Sequence, residues 1–313
     1  MSKEIDSVYE VYKEKSFSRA AKNLYMSQPA LSNVVKKVEA ELGTPIFDRS
    51  TIPLTVTKDG EYYINAIIQI RQIQDNIRKY FRDLDNLKTG TLSLGGSSYF
   101  CSFVFPEMIS HFNSHYPDVK INLVEGNISE IRQSLEDGSI DLILETAIPS
   151  DDERIESFFY KKEHIILAVP ESFPVNRKLR PYQLKHSQIS SGFYLDHGCP
   201  CVPFGNFQDV PFISMKPGND IFHRSQDICR HFGFKMNTRM FLDQVLTSVN
   251  IAFSGAGAIF IRADIVKHIP DDGRVIYYKV DDLLTVRDIR WSVKKGRYLS
   301  KAAREFMRIA SFV

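Results

Sequence analysis

The sequence predicts an α/β protein with a mainly helical N-terminal head, one long connecting helix and a C-terminal α/β domain of two lobes. Three observations lead there. Up to Asp59, apolar residues recur at helical spacing and the segment closes on a short hairpin. An apolar stripe of coiled-coil period then runs from Tyr63 to Leu87. After Thr89-Gly90, strand-like and helical segments alternate in two successive sets, which implies parallel sheets covered by helices.

At 313 residues the chain is long enough for two or three domains with cores of ordinary size. Its 43% hydrophobic and 25% charged residues are ordinary for a globular protein, so no fibrous or disordered class needs weighing. The net charge of +2 is too small to indicate a nucleic-acid partner, but its distribution is informative. Residues 15–58 hold seven basic side chains (Lys15, Arg19, Lys22, Lys36, Lys37, Arg49, Lys58) against three acidic ones (Glu39, Glu41, Asp48), so the remainder is slightly acidic. A basic head on an acidic body fits phosphate contact. The start, Met1 to Asp6, has no apolar run and is not expected to be a secretory signal. The longest uncharged stretch, Gln244 to Ile261, is broken by Thr247, Ser248, Asn250, Ser254, Gly255 and Gly257. It reads as a buried helix-to-strand passage rather than a membrane span. Four cysteines are too few for a disulfide framework, so a reducing cytoplasm is expected.

In the head, Ile5, Val8, Tyr9 and Tyr12 predict a first helix. Ser18 is expected to cap a short second helix through Leu24, with Phe17 as a staple and small Ala20 and Ala21 admitting a neighbour. Tyr25-Met26 makes the turn. Ser27 is expected to cap a third helix that tolerates Pro29 in its first turn, buries Leu31, Val35, Val38 and Leu42, and stops at Gly43. Phe47 to Thr57 reads as a hairpin with Pro53 near its tip.

The long helix, about Lys58 to Leu87, carries Tyr63, Ala66, Ile70, Ile73, Ile77, Tyr80, Leu84 and Leu87 at alternating steps of three and four. That is the seam of a coiled coil. A helix of roughly 45 Å, at 1.5 Å per residue, on so small a head wants a partner helix.

Beyond it the expected strands are Leu92–Leu94, Val119–Val124 and Ile140–Glu145, with helices Phe105–Tyr116 and Ile128–Glu136 between them. The pattern then recurs. Ile165–Val169 and Ile189–Ser191 are read as strands, Phe222–Phe232 as helix and Met236–Phe241 as strand; Leu242–Phe253 follows as helix and Ala258–Ile261 as strand. Val275–Val280 and Ile289–Val293 are late strands, and Ser300–Ile309 is a closing helix. Two similar lobes with the chain returning to the first describe a hinged binding domain. The expected divisions are 1–59, 60–89 and 90–313, with lobe I at about 90–162 and 268–313 and lobe II at about 163–267.

The run Ser16-Phe17-Ser18-Arg19-Ala20-Ala21-Lys22-Asn23-Leu24-Tyr25-Met26-Ser27-Gln28-Pro29-Ala30-Leu31-Ser32 closely resembles the LysR-type helix-turn-helix signature. Val38 to Arg49 and Leu54 to Gly60 continue it. Phe105-Pro106, Tyr116-Pro117, Glu125-Gly126, Gly138 to Leu142, Gly233-Phe234 and Gly255-Ala256-Gly257 stand at similar landmarks of that family. The resemblance implies a winged helix-turn-helix head and an effector domain similar to periplasmic solute-binding proteins. It further implies a transcription regulator that is a homodimer or homotetramer, binds double-stranded DNA and a small-molecule effector, and works with RNA polymerase. The stretch Ser187 to Asp220 departs from the common pattern.

A recognition helix puts its N-terminal side chains against base edges. The DNA-contacting candidates are Ser27, Gln28, Pro29, Ser32, Asn33, Lys36 and Lys37, with Arg49 at the wing. Gln28 and Asn33 suit adenine, Pro29 suits a thymine methyl, and Lys36, Lys37 and Arg49 suit phosphates, with minor-groove entry an alternative for Arg49. Effector candidates lie where strands end and helices begin, because unpaired N–H groups there favour anions. They are Ser97 and Ser98 after the first strand, Asn127 and Ser129 after the second, and Thr146 after the third, with Phe193 or Asp196 facing them from lobe II. The ligand expected is small and polar or anionic. Cys199-Pro200-Cys201 with His197 suggests metal or redox chemistry, but the spacing is poor for zinc and a bridge across one proline would be strained, so incidental thiols are the better reading. Gly255-Ala256-Gly257 lacks the rest of a nucleotide fingerprint. No cofactor, metal or catalytic group is expected.

Overall fold

In a computed structural model the described residues are 2–83, 90–146 and 153–311, and they form two compact units, Met1–Phe81 and Arg82–Val313.

In the first unit, helices α1 (Ser2–Glu14), α2 (Phe17–Asn23) and α3 (Gln28–Leu42) precede a hairpin of β1 (Phe47–Asp48) and β2 (Thr55–Val56), and α4 (Lys58–Asp83) follows. The hairpin pairs Phe47 with Val56 and Asp48 with Thr55. The second helix is capped by Ser16, not Ser18: Ser16 Oγ accepts from the Arg19 N–H at 3.4 Å. A cap serves the N–H three residues on, and starting two residues earlier brings Phe17 into the helix, where its ring meets Phe47 edge-on. Ser27 caps α3 as expected, and Gly43 closes it at a left-handed φ of 73°. Leu31, Val35 and Val38 join Val8, Val11, Ala20, Ala21, Ile46 and Phe47 in one core. Leu42, expected in that stripe, is 44% exposed because the helix has run past the edge of the core.

Helix α4 is anchored by its first turns. Ile64 and Ile67 are buried in the head core, with Tyr63 and Ile68 packed against it. The later residues of the predicted seam, Ile70, Ile73, Ile77 and Tyr80, are exposed; Leu84 and Leu87 lie outside the described residues. No helix among the described residues is long and apolar enough to cross a membrane.

The second unit runs β3 (Gly90–Gly96), a π-helical turn (Phe100–Val104), α5 (Phe105–His115), β4 (Val119–Glu125), α6 (Ile128–Asp137) and β5 (Leu142–Glu145). Strand β3 pairs in parallel with both β4 and β5. Then comes β6, Ile155–Pro170, sixteen residues long and far longer than the expected Ile165–Val169. Its first part pairs antiparallel with β11 (Val286–Lys294) in lobe I. From Ile165 onward it lies between β9 (Ile259–Arg262) and β10 (Val275–Tyr278) in lobe II. One strand thus belongs to both lobes. Charged Lys161, Lys162 and Glu163 interrupt the apolar pattern where it crosses, which hid its first half from periodicity.

Lobe II departs from expectation at its start. Ile189–Ser191 is not a strand: α7 (Val175–Lys178) and α8 (His186–Ser190) are short helices, followed by 3-10 turns at Phe193–Leu195 and Phe204–Phe207. The first parallel strand of the lobe is β7 (Phe212–Met215), beside β8 (Thr238–Leu242). Helices α9 (Asp220–His231) and α10 (Val245–Phe253) cover it, and α11 (Lys301–Ala310) closes lobe I. Residues 184–210 form a helical excursion because Ile189, Tyr194, Phe204 and Phe207 all find the core at irregular spacing, which a strand cannot do.

A close approach at the root of the wing sets one testable requirement. Thr57 Oγ1 donates to the Pro45 carbonyl at 2.6 Å and accepts from the Gly60 N–H at 2.9 Å, starting α4 directly beneath β1. A Cβ on Gly60 would lie 2.1 Å from the Ile46 carbonyl oxygen. Gly60→Ala should destabilise the head by about 1–3 kcal/mol through overpacking, read as a lower midpoint in urea denaturation followed by circular dichroism. An unchanged midpoint would contradict this packing.

Candidate functional site

Two features of the fold present chemistry to solvent. The first is the outer face of α3. With Leu31, Val35 and Val38 turned inward, Gln28, Pro29, Asn33, Lys36 and Lys37 stand exposed on the opposite side. Ser27 accepts from the Ala30 N–H and so holds the first turn rigid behind Gln28. The preceding turn brings Tyr25, at a φ of +54° and almost fully exposed, to the same end of the helix. The cations divide. Lys36 has no ion-pair partner among the described residues. Lys37 is paired with Glu4 of α1 at 2.9 Å, and that pair, chiefly its hydrogen bond, holds the Glu4 carboxyl down at about 2. Arg49 is also committed: it donates to Glu39 at 2.9 Å and to Ser32 at 3.3 Å, and stacks on Phe17 at 4.9 Å. Glu39 accepts from the Ile46 and Phe47 N–H groups as well, so one carboxylate ties wing to helix. Lys37 and Arg49, both expected to hold phosphates, thus each have an acidic partner within the head. In the unbound chain both charges serve the head's own geometry.

The second feature is a cavity of about 910 Å³ between the lobes of the second unit. Ser97, Ser98, Asn127, Ser129 and Thr146 all line it, from the ends of β3, β4 and β5. Asn127 is occupied as the cap of α6, exchanging hydrogen bonds with Glu130. Ser98 donates to Gln244 at the start of α10 at 2.8 Å, a hydrogen bond that spans the cleft. Ser97 Oγ is buried without a partner. Phe193 and Asp196 do not line the cavity. Phe193 packs on the core, and the Asp196 carbonyl accepts from Lys279 in the helical excursion. The wall opposite the serines is built by the loop after β7 (Lys216, Gly218, Asn219) and by Gln244 and Arg262. A Pro-Gly turn leading into Asn219, a natural helix cap, was the sequence signal for that wall.

Sequence reading also missed what lies behind it. Arg262, at the end of β9, is 5% exposed and pairs with Glu163 of β6, itself 1% exposed. Glu163 also pairs with Arg287, opposite it on β11. Arg287 continues to Asp220 at 2.6 Å, and Asp220 to Arg224 at 2.8 Å. Burial and the nearby Arg287 push the Arg262 pKa down against the pull of Glu163. At Arg287 burial acts the same way, but Glu163 and Asp220 outweigh it and its pKa rises.

The cysteines of the excursion are quiet. Cys199 is buried and Cys201 half-buried, both are free, and burial pushes both thiols up despite Lys279 nearby. That suppresses the thiolate that redox chemistry or metal binding needs.

A rigidly capped helix exposed on a three-helix head with a hairpin wing, joined by a long helix to a two-lobed domain with a cavity, is the build of a DNA-binding regulator that carries its own ligand domain. Residues 3–61 match the family model of the bacterial regulatory helix-turn-helix protein, LysR family. Residues 85–189 and 189–311 match the LysR substrate binding domain. The chain belongs to the LysR family of transcription regulators, with a DNA-binding head and an effector-binding domain. It is 29% identical over 302 residues to an uncharacterized HTH-type transcriptional regulator, YcgK of Bacillus subtilis, covering 96% of this chain and 91% of that one. Its fold is similar to full-length OxyR from Pseudomonas aeruginosa (TM-score 0.71, 18% identity, 98% and 93% of the two chains). It is similar also to full-length CbnR complexed with its target DNA (TM-score 0.62, 16% identity, 99% of each). The substrate-domain match is interrupted at residue 189, inside the helical excursion.

The quiet thiols yield an expected outcome. Replacing Cys199 and Cys201 together by serine should leave DNA affinity and its response to effector within about twofold, because neither thiol has the depressed pKa that reactivity requires. Stoichiometric zinc in the purified wild type that the double variant lacks would contradict this.

Proposed function

We propose that the chain reads its operator through Gln28, Pro29, Ser32 and Asn33 at the N-terminal half of α3, with Lys36 holding phosphate. Ser27 sets the helix start, and Lys37 and Arg49 orient the helix from behind and from the wing. The observation that carries this reading is the division of cations on α3: Lys36 is open to solvent while Lys37 is drawn back to α1. Phosphate contacts position and base contacts specify, so the two kinds of residue differ in what their loss does.

The protein acts as a dimer joined through α4, in the cytoplasm, with residues 1–59 as head, 60–89 as linker helix and 90–313 as effector domain. Ile73 and Ile77 are 59% and 53% exposed on that helix at coiled-coil spacing, which is costly for a helix that stays alone in water. A dimer sets two recognition helices on half-sites a whole number of turns apart, hence an operator with interrupted dyad symmetry. RNA polymerase is the further partner that a DNA-bound regulator addresses. The effector is a small polar or anionic metabolite held in the interlobe cleft by Ser97, Ser98, Asn127, Ser129 and Thr146. It competes there with the hydrogen bond from Ser98 to Gln244, so its arrival changes what holds the lobes together.

Two measurements test this. Gln28→Ala should cost about 1–3 kcal/mol on the cognate duplex and less on a scrambled one. Lys36→Ala should weaken both duplexes alike and lower the salt slope of log K by about one unit. Equal losses on both duplexes for Gln28→Ala would remove it as a base reader. Separately, Ile73→Lys with Ile77→Lys should convert the dimer to monomer in sedimentation at micromolar concentration. A dimer of unchanged affinity would place the contact elsewhere.

A further inference from the structure

Helix α5 carries two histidines on its outer side. Met108 and Phe112 turn into the core of lobe I, whereas His111 and His115 are both exposed. They stand four residues apart, one above the other on the helix surface. Their ring centres are 5.2 Å apart, with the ring planes at 49°. A metal ion held about 2.1 Å from one nitrogen of each ring, at a tetrahedral angle, sets the ring centres about 5 Å apart. The pair therefore already stands at the separation of two imidazole ligands on one ion. The tautomer of His115 is set as well. Its Nδ1 lies 3.0 Å from the His111 carbonyl oxygen, which can only accept, so Nδ1 carries the hydrogen and the neutral ring keeps its lone pair on Nε2. Ser114 Oγ donates to the same carbonyl at 2.7 Å and lies 3.1 Å from Nδ1, where it shares that hydrogen. A ligating imidazole usually has its second nitrogen tied to a carbonyl or carboxylate in this way. His115 is also the last residue of α5, where the helix dipole favours a cation. Neither histidine lines the interlobe cavity, so a site here is separate from it.

We propose that His111 and His115 form a surface site for a divalent transition-metal ion of the class that imidazole prefers: copper(II), nickel(II) or zinc(II). Magnesium and calcium, which take oxygen ligands, do not suit it. Among the described residues no group of three or more histidine, cysteine, aspartate or glutamate side chains could hold a metal ion. Water therefore fills the remaining positions, and the ion exchanges with solvent instead of being locked in as a four-ligand structural zinc is. Copper(II) binds tightest of the three, following the general order of affinity for nitrogen ligands. The chelate spans the last turn of α5. Phe112, on that turn, packs on Phe306 of α11 with ring centres 5.4 Å apart, so the ion clamps the stretch of helix that makes this core contact.

The test uses the untagged full-length protein, stripped of metal and titrated with copper(II) in a calorimeter. Electron paramagnetic resonance is recorded on the complex with one ion per chain. The expected result is one tightest site per chain, a spectrum with coupling to two nitrogens, and no heat of binding with magnesium. His111→Ala and His115→Ala should each weaken copper binding about a hundredfold, because the second imidazole is otherwise supplied at high effective concentration. Both side chains are exposed, so the variants should melt like the wild type without metal. His111→Ala combined with Asn113→His keeps the number of histidines but spaces them two apart, where they do not face each other. It should bind as weakly as His111→Ala alone. Cys199→Ser with Cys201→Ser should bind copper as the wild type does. Undiminished binding in either alanine variant, or recovery in the relocated pair, would overturn the proposal. So would loss of the site in the cysteine variant, or a wild type that binds no copper at micromolar concentration.

Discussion

The pairing of Glu163 with Arg287 across β6 and β11 is the contact on which the second unit turns. It joins the two strands just before β6 leaves one lobe for the other, and both side chains are almost wholly buried. Buried ion pairs are poor sources of stability, because desolvation offsets much of the Coulomb gain, but they are demanding about geometry. Here that demand is shared. Glu163 also receives Arg262 from the cleft wall, and Arg287 also receives Asp220 from the first turn of α9. The relative setting of β6 and β11, the cavity wall and α9 is thereby one electrostatic problem with one solution.

The head solves a similar problem with one exposed-edge carboxylate. Glu39 sits on α3 and receives the Ile46 and Phe47 N–H groups and the Arg49 guanidinium. Thr57 then starts α4 under the same strand, and Gly60 lets the helix backbone reach the Ile46 carbonyl. Wing, α3 and long helix are thus registered to one another through backbone groups, which have little freedom to shift. Surface charges within this head are worth little as stability. Gln28, Asn33, Lys36 and Lys37 all remain exposed on α3.

The helical excursion at residues 184–210 shows how a departure from a family pattern can be inert at the site. It carries the Asp196-to-Cys201 stretch that looks reactive in sequence, yet its side chains pack beneath lobe II, and burial raises the thiols. The cleft is built instead by the short β7 strand and its Pro-Gly turn, a segment with far less conspicuous chemistry.

What the sequence determined alone was whatever depends on local rules. The caps at Ser27 and Gly43, the buried stripe of α3, the coiled-coil period of α4 and the serines between strand and helix follow from neighbours within a few residues. They carried the fold class, the exposed face of α3 and one wall of the cleft. Tertiary structure decided the features built from residues far apart in the chain. Ser16 displaced Ser18 as a cap by packing Phe17 on Phe47. Lys37 and Arg49 are paired with Glu4 and Glu39, which lie within reach only after folding. Phe193 and Asp196 gave way to Lys216, Gln244 and Arg262 because a strand of four residues carries no periodicity long enough to read. The charge network was invisible for the same reason: Glu163, Asp220, Arg262 and Arg287 each look like a polar break in an apolar pattern, and only strand register brings them together. Local chemistry is written in sequence, whereas the balance of buried charge is a sum over the whole fold.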